Sequence, residues 1–461
     1  MEGKIKRIST SILIKQEFLT YESILKIDIN MNTLKVSHLH YIILLMFLSI
    51  FTCRCIIEWL FPFYLGFPIG STILIAIGIL CSMYSLYYSY KIYRFGNKYL
   101  ILIFIIYTSF VYYDLFISPE ININQMLGVP KNQFDFAKET ITILLTMLSA
   151  TLCLKKMNYR SFSIITIVII SVFLFIYFSY QPYTIYRMTA EVAGVERDKL
   201  VSEGYIDGFT IGNYIGLLFA CNLYMSDKWT SKRVISSLIS LFIGILCFII
   251  QFLVFQRGPF LFLLTTLLFY SYAKGYISIR YLWLISLGLL FLIVFADNIF
   301  TLLNSISSSS LKRYDNIFSS GGTGRWGSRD SEYALSINQI LESPFFGSYP
   351  RTLAVARIGH YPHNFLLELL MTFGILFTIP MIVLLWRAVK RSFLIIKHNR
   401  NESLFAIWFI YIFSCLFTSG SIMCHTSFWF TFVAVLSTQD VKFDRNIKLR
   451  RFFSDRYKIT I

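Results

Sequence analysis

The chain has 461 residues, is 56% hydrophobic and 18% aromatic, and has a mean hydropathy of +0.63, values that exclude a soluble globular protein and fit a polytopic membrane protein. Its formal net charge of +17 raises the question of nucleic acid, but basic residues of membrane proteins collect in cytoplasmic loops for topological reasons, so no nucleic-acid partner is inferred. The fold class expected is all-α and membrane-spanning.

The first 38 residues are mixed and basic, with Lys4, Lys6, Arg7, Lys15, Lys26 and Lys35, and contain no short apolar stretch followed by a small-residue cleavage site. They read as a cytoplasmic segment with no cleaved signal peptide. From 39 to 438 the chain alternates apolar runs with loops, and runs of roughly spanning length number twelve. They lie near 39–59, 69–90, 99–117, 136–154, 161–180, 209–226, 234–255, 259–273, 280–296, 362–386, 404–420 and 424–438, and the eighth and twelfth are short. Arg54 and Glu58 in the first span are four apart and neutralise each other on one helix face. The eight cysteines sit in or beside apolar runs, without a disulfide framework or zinc-ligand spacing.

Lys and Arg in short loops decide the orientation. With residues 1–38 in the cytoplasm, that side collects 29 of the 42 Lys and Arg residues and the opposite side 12, half of them in one long loop. Both termini are therefore expected inside, and the tail 439–461, with Lys442, Arg445, Lys448, Arg450, Arg451, Arg456 and Lys458, is expected against anionic headgroups. Two sizeable segments fall outside, 181–208 and 297–361, where cytoplasmic nucleotides are out of reach. No Walker-type glycine loop and no internal repeat of the transporter kind is present.

Between the seventh and eighth runs stands Gln256-Arg257-Gly258-Pro259, almost without a loop. Arg257 either snorkels to the interface or forms paired hydrogen bonds to an anion such as phosphate. In the outer segment 181–208 most charges alternate in sign and suit a solvated face, but Arg187 stands just beyond a span beside Tyr183 and Tyr186. That segment runs into Gly208-Phe209-Thr210-Ile211-Gly212-Asn213-Tyr214-Ile215-Gly216, which puts Asn213 near a helix start among small residues that permit close approach.

The loop 297–361 is 65 residues long, polar and Gly/Ser-rich, and carries six Lys/Arg residues. A loop of that length in a compact chain is disordered or functional. It holds Gly321-Gly322-Thr323-Gly324-Arg325-Trp326, then an apolar-patterned segment from Tyr333 to Leu341 expected as a short amphipathic helix on the membrane, ended by Ser343-Pro344-Phe345-Phe346-Gly347. Arg351, Arg357 and Gly359-His360-Tyr361-Pro362-His363-Asn364 follow. Pro362 suits a first helical turn, which places His363 and Asn364 at the start of the tenth span, where the helix dipole keeps an imidazole neutral and able to act as a base. Glu368 is four residues from Asn364 on the same face, and a carboxylate inside a span is a functional candidate. The structural alternative has Asn364 capping, Glu368 paired with an arginine and the histidines bonded to the loop. A metal site at His360 and His363 lacks a third and fourth ligand, so none is expected.

These motifs, in this order and spacing, resemble the Wzy-type O-antigen polymerases and the related O-antigen ligases: Gln256-Arg257-Gly258, Gly324-Arg325-Trp326, Ser343-Pro344-Phe345-Phe346-Gly347 and His363-Asn364-Phe365-Leu366-Leu367-Glu368 continuing to Phe373-Gly374-Ile375. The resemblance covers about twelve spans with both ends inside and a dominant outer loop before a late span. The ligase branch carries His-Asn, nine residues, then Gly-x-x-Gly; here Gly374 is in place and Phe377 stands at the second glycine.

The resemblance implies metal-independent, inverting glycosyl transfer from an undecaprenyl-pyrophosphate donor at the outer face of the bacterial inner membrane, without a cofactor. Arg187, Arg257 and Arg325 would hold the pyrophosphate and His363 would act as base, with Glu368 in reserve. Asn213, Arg351, Arg357, His360 and Asn364 would line the acceptor side. Implied partners are the lipid-linked glycans and membrane lipids, with a chain-length regulator as a further candidate. Transfer of finished glycan to lipid A-core by a ligase is the alternative reading, and a polysaccharide flippase, which should carry charges near mid-membrane, is the reading from another class.

Overall fold

A computed structural model describes residues 147, 150, 158–180, 208–229, 234–253, 257–277, 326–348, 362, 364–398, 400–417, 422 and 425–438. These residues form eight helices and no strand: α1 (Tyr159–Tyr180), α2 (Gly208–Trp229), α3 (Val234–Leu253), α4 (Arg257–Lys274), α5 (Trp326–Glu342), α6 (Phe365–Lys397), α7 (Ser403–Cys415) and α8 (Thr426–Ser437). The spans expected near 39–59, 69–90, 99–117 and 280–296, and all of the one near 136–154 except Met147 and Ala150, lie outside the described residues. So do the two termini, most of 181–208 and, apart from 326–348, the long loop.

Two helical stretches, Tyr159–Ser179 and Phe365–Lys397, are long and apolar enough to cross a membrane, and Ser237–Gln251, Ser403–Cys415 and Thr426–Ser437 are shorter apolar stretches. The chain is accordingly an all-helical protein of membrane-spanning character over its described part.

α7 is the axis of the assembly. It packs against α2, α4, α6 and α8, and every side chain from Ser403 to Ile412 is buried. A helix apolar on all sides has no lipid- or water-facing stripe, so it is held by neighbours around its circumference. Aromatic rings fasten it: Phe405 meets Tyr159 and Phe430 edge-on at 5.5 and 5.3 Å, and Phe409 stacks on Phe432 at 6.1 Å. Each such pair adds about 0.5–1.5 kcal/mol beyond the area it buries. The unusual aromatic content is therefore used between helices.

Small residues let the backbones approach. A methyl group at Gly216 of α2 would overlap the Tyr411 ring of α7, and one at Gly212 would sit 2.8 Å from Cγ of Pro259 in α4. The Gly-x-x-x-Gly spacing thus brings α2 against α7 and α4 together, as the sequence pattern predicts.

The 33-residue α6 departs from expectation in three ways. It begins at Phe365 with Asn364 as the N-cap, so Pro362 precedes the helix instead of occupying its first turn. It runs eleven residues past the predicted end at 386, because Ala388, Ser392, Ile395 and Ile396 continue a buried stripe while Arg387 and Lys390 stay exposed. Third, it is broken at Gly374, with φ 60° and ψ −176°. That conformation belongs almost only to glycine.

The break is filled by the turn that follows α5. Ile375 N–H donates to Pro344 O (2.8 Å), Leu376 N–H to Phe345 O (3.3 Å), and Ser348 N–H to Met371 O (2.7 Å), so groups freed by the interruption are paired across it. Gly347, with φ 67°, lies so close that a Cβ there would be 2.5 Å from the Thr372 carbonyl carbon, and a Cβ at Gly374 would overlap the Phe345 carbonyl. α5 itself spans Trp326–Glu342, longer than the predicted 333–341. It buries Ser336 and Gln339 and exposes Leu335, Ile337 and Leu341.

Candidate active site

The helix bundle has two chemically different ends. At one, Asp227 and Lys274 pair at 2.5 Å, and Tyr270 Oη–H donates to Asp227 at 2.5 Å. Arg391 donates to Leu436 O, Lys228 lies over the Tyr224 ring, and Arg400 pairs with Glu402 at 3.2 Å. Arg160, Arg387, Lys390 and Lys397 belong to this end as well. It is the basic end, with Asp227, Lys274, Arg391, Arg400 and Glu402 engaged near helix termini and Arg160, Arg387 and Lys390 exposed.

The opposite end is built around the Gly212 carbonyl. It accepts hydrogen bonds from Tyr411 Oη–H of α7 at 2.7 Å and from Gln251 Nε2 of α3 at 3.2 Å. Tyr411 also meets Phe262 of α4 edge-on at 6.2 Å. Four helices are therefore registered on one peptide group, beside the point where Arg257 opens α4. Pro259 fits there because its missing N–H falls in the first turn, where helical N–H groups have no partner. The Arg257 side chain lies outside the described part.

Two amide oxygens at this end have no donor among the described residues. Asn213 Oδ1 and Gln251 Oε1 are buried without a hydrogen-bond partner, although Gln251 is wholly inaccessible and its Nε2 is committed to Gly212. Buried amide oxygens are normally paired, and of these two only Asn213 belongs to a residue with exposed surface, so it alone can meet a ligand hydroxyl, whereas Gln251 is sealed in the core.

The start of α6 reaches the same end. Phe365 packs edge-on against Phe413 at 5.5 Å and beside Phe417 at 5.6 Å, the last residues of the α7 segment. Asn364 Oδ1 accepts from Leu366 N–H (3.0 Å) and Leu367 N–H (3.4 Å), so its oxygen caps the helix and is not offered to a ligand. Glu368, one turn further, is 1% exposed. Its Oε2 accepts from Ile422 N–H at 3.1 Å, and Ile422 O accepts from Trp429 Nε1 at 2.9 Å. The backbone of the segment between α7 and α8, which the sequence does not mark, is thus among the partners of this carboxylate.

Of the residues singled out in the sequence, Asn213 adjoins Gly212, the Arg257 helix start lies two residues before Pro259, and Asn364 and Glu368 stand at the start of α6 beside Phe413 and Phe417, all toward the same end of the bundle. His363, His360, Arg187, Arg325, Arg351 and Arg357 lie outside the described residues. Sequence reasoning missed Gln251 and Tyr411. Gln251 had a signal, an amide inside an otherwise apolar run, which is expensive unless used; Tyr411, among the chain's 30 tyrosines, had none. Comparison with models of known protein families and with curated proteins finds no match for this chain.

Proposed function

We propose that the chain is a Wzy-type polymerase that joins lipid-linked oligosaccharide repeat units into O-antigen or a similar surface polysaccharide. The Gly212 end would face the periplasm and the basic end the cytoplasm, the arrangement favoured by retention of Lys and Arg inside. What supports this reading is that the Asn213 end of α2, the α4 start at Arg257 and the Asn364–Glu368 turn of α6 all lie toward the end of the bundle opposite its basic residues.

In the proposed reaction the undecaprenyl-pyrophosphate of the donor lies at the lipid boundary, held by Arg257, Arg187 and Arg325 through planar, charge-assisted contacts. The acceptor sugar hydroxyl attacks the donor's anomeric carbon from the face opposite the leaving group. Its proton passes to His363, the C–O bond to the diphosphate breaks with both electrons leaving on oxygen, and the centre inverts. The arginines stabilise the departing diphosphate, so no acid is required. The oxygen of Asn213 accepts from a sugar hydroxyl nearby. Phe377 favours the polymerase over the ligase, because a partly buried aromatic ring packed on the core occupies the position at which the ligase pattern has a second glycine.

Two substitutions test the assignment in cells. His363→Ala is expected to leave single repeats on the lipid anchor with the protein still inserted, a loss of about 10²-fold or more in extension. Arg257→Lys is expected to weaken donor binding because a point charge lacks the guanidinium fork. Normal polymer from the first variant removes His363 from the base role, and unchanged donor affinity in the second returns Arg257 to snorkelling.

A further inference from the structure

We propose that the turn Ser343–Ser348 is a re-entrant membrane element, seated in the hydrocarbon of the bilayer with Phe345 against acyl chains. The inference goes beyond the glycosyl-transfer reading and does not depend on it.

Depth is the first argument. The turn docks on α6 at Met371–Leu376, inside the stretch from Phe365 to Trp386, in which the buried Glu368 is the one charged residue. Gly374 lies nine residues, about 14 Å, below the start of the helix and twelve residues, about 18 Å, above Trp386, at a rise of about 1.5 Å per residue. In a bilayer with a hydrocarbon core of about 30 Å, that position is not at the surface.

Satisfaction of the backbone is the second. Non-helical chain is tolerated at membrane depth only where its polar groups are paired within the protein. Here the carbonyls of Ser343, Pro344, Phe345, Gly347 and Ser348 all accept hydrogen bonds, from Gly347 N–H, Ile375 N–H, Leu376 N–H, Ser343 Oγ–H and Gln339 Nε2 respectively.

The third argument is the surface the turn presents. It carries no charge, and Phe345 is 60% exposed, between Leu341 at 70% on α5 and Ile375, Leu376 and Ile379 on the outward side of α6. This continues the apolar stripe of a helix long enough to span. α5 adds apolar surface on the same side, exposing Leu335 and Ile337 together with the polar Asn338 and Glu342 while Ser336 and Gln339 are inside.

The test places the photoreactive p-benzoylphenylalanine at Phe345, and separately at Ile379, in the full chain reconstituted into phosphatidylcholine nanodiscs. After irradiation the expected result is lipid-mass adducts at both positions at comparable yield. Adducts at 379 with none at 345, or cross-links from 345 to another segment of the chain or to a second copy, overturn the proposal. Should the variant fail to fold, hydroxyl-radical footprinting of the unaltered protein in the same nanodiscs decides. Phe345 is expected to stay unmodified while Tyr276, 70% exposed at the end of α4, is oxidised; oxidation of Phe345 to the extent of Tyr276 overturns it.

Discussion

Gly374→Ala is expected to destabilise the protein by about 3 kcal/mol or more, enough to lose most folded material from detergent extracts. Two costs add at this position. A φ of 60° with ψ near 180° strains any residue bearing a Cβ, and the added methyl overlaps the Phe345 carbonyl, a backbone group that cannot rotate away. Relief requires expelling the turn, which leaves the Ile375 and Leu376 N–H groups and the Met371 carbonyl without partners inside an apolar stretch. Gly244→Ala is the control, because its new methyl meets nothing closer than Asn222 Nδ2 at 3.6 Å. Yield of monodisperse protein and its thermal midpoint in detergent measure both variants. Equal behaviour of the two would mean that the turn is not held in the break.

Glu368→Gln is expected to remove chain extension by about 10²-fold or more while leaving the fold intact. The glutamine keeps an oxygen that can accept from Ile422 N–H, so the link from α6 to the 422 segment survives and only the negative charge is lost. Glu368→Leu removes the acceptor as well, and is expected to cost stability by about 1–3 kcal/mol for a buried N–H left unpaired. Polymer length on gels and thermal midpoint, read for both variants, separate the roles. If Glu368→Gln makes normal polymer, the carboxylate serves only to hold the 422 segment.

The two variants also show what the sequence could and could not convey. Apolar run length located most of the described helices to within a few residues, two of which are long and apolar enough to cross a membrane. It failed at the end of α6. There Arg387, Lys390 and Arg391 break the hydropathy run, yet Ala388, Ser392 and Ile395 keep the helical stripe, so periodicity was the better guide than hydropathy.

Ser343-Pro344-Phe345-Phe346-Gly347 and Phe373-Gly374-Ile375 were both visible as motifs, and neither revealed that the other was its partner. A glycine inside a helical pattern reads as tolerated, and nothing local announces a positive φ that a distant turn must complete. The Glu368 contact was hidden for a similar reason. Its partner is the backbone N–H of Ile422, and a backbone donor has no signature in the side-chain sequence. Asn364, by contrast, announced itself, since an Asn before an apolar helix is a cap by its own chemistry.

The central claim is that this membrane protein itself forms glycosidic bonds from a lipid diphosphate donor at the Gly212 end. Purified protein in detergent, given undecaprenyl-pyrophosphate-linked repeat units with a chelator and no nucleotide, tests it most directly, because detergent leaves no compartment to transport across. The account predicts a ladder of lipid-linked products two and more repeats long, with undecaprenyl pyrophosphate released once per bond and both lost in His363→Ala. Folded protein that leaves the repeat units unjoined would contradict it.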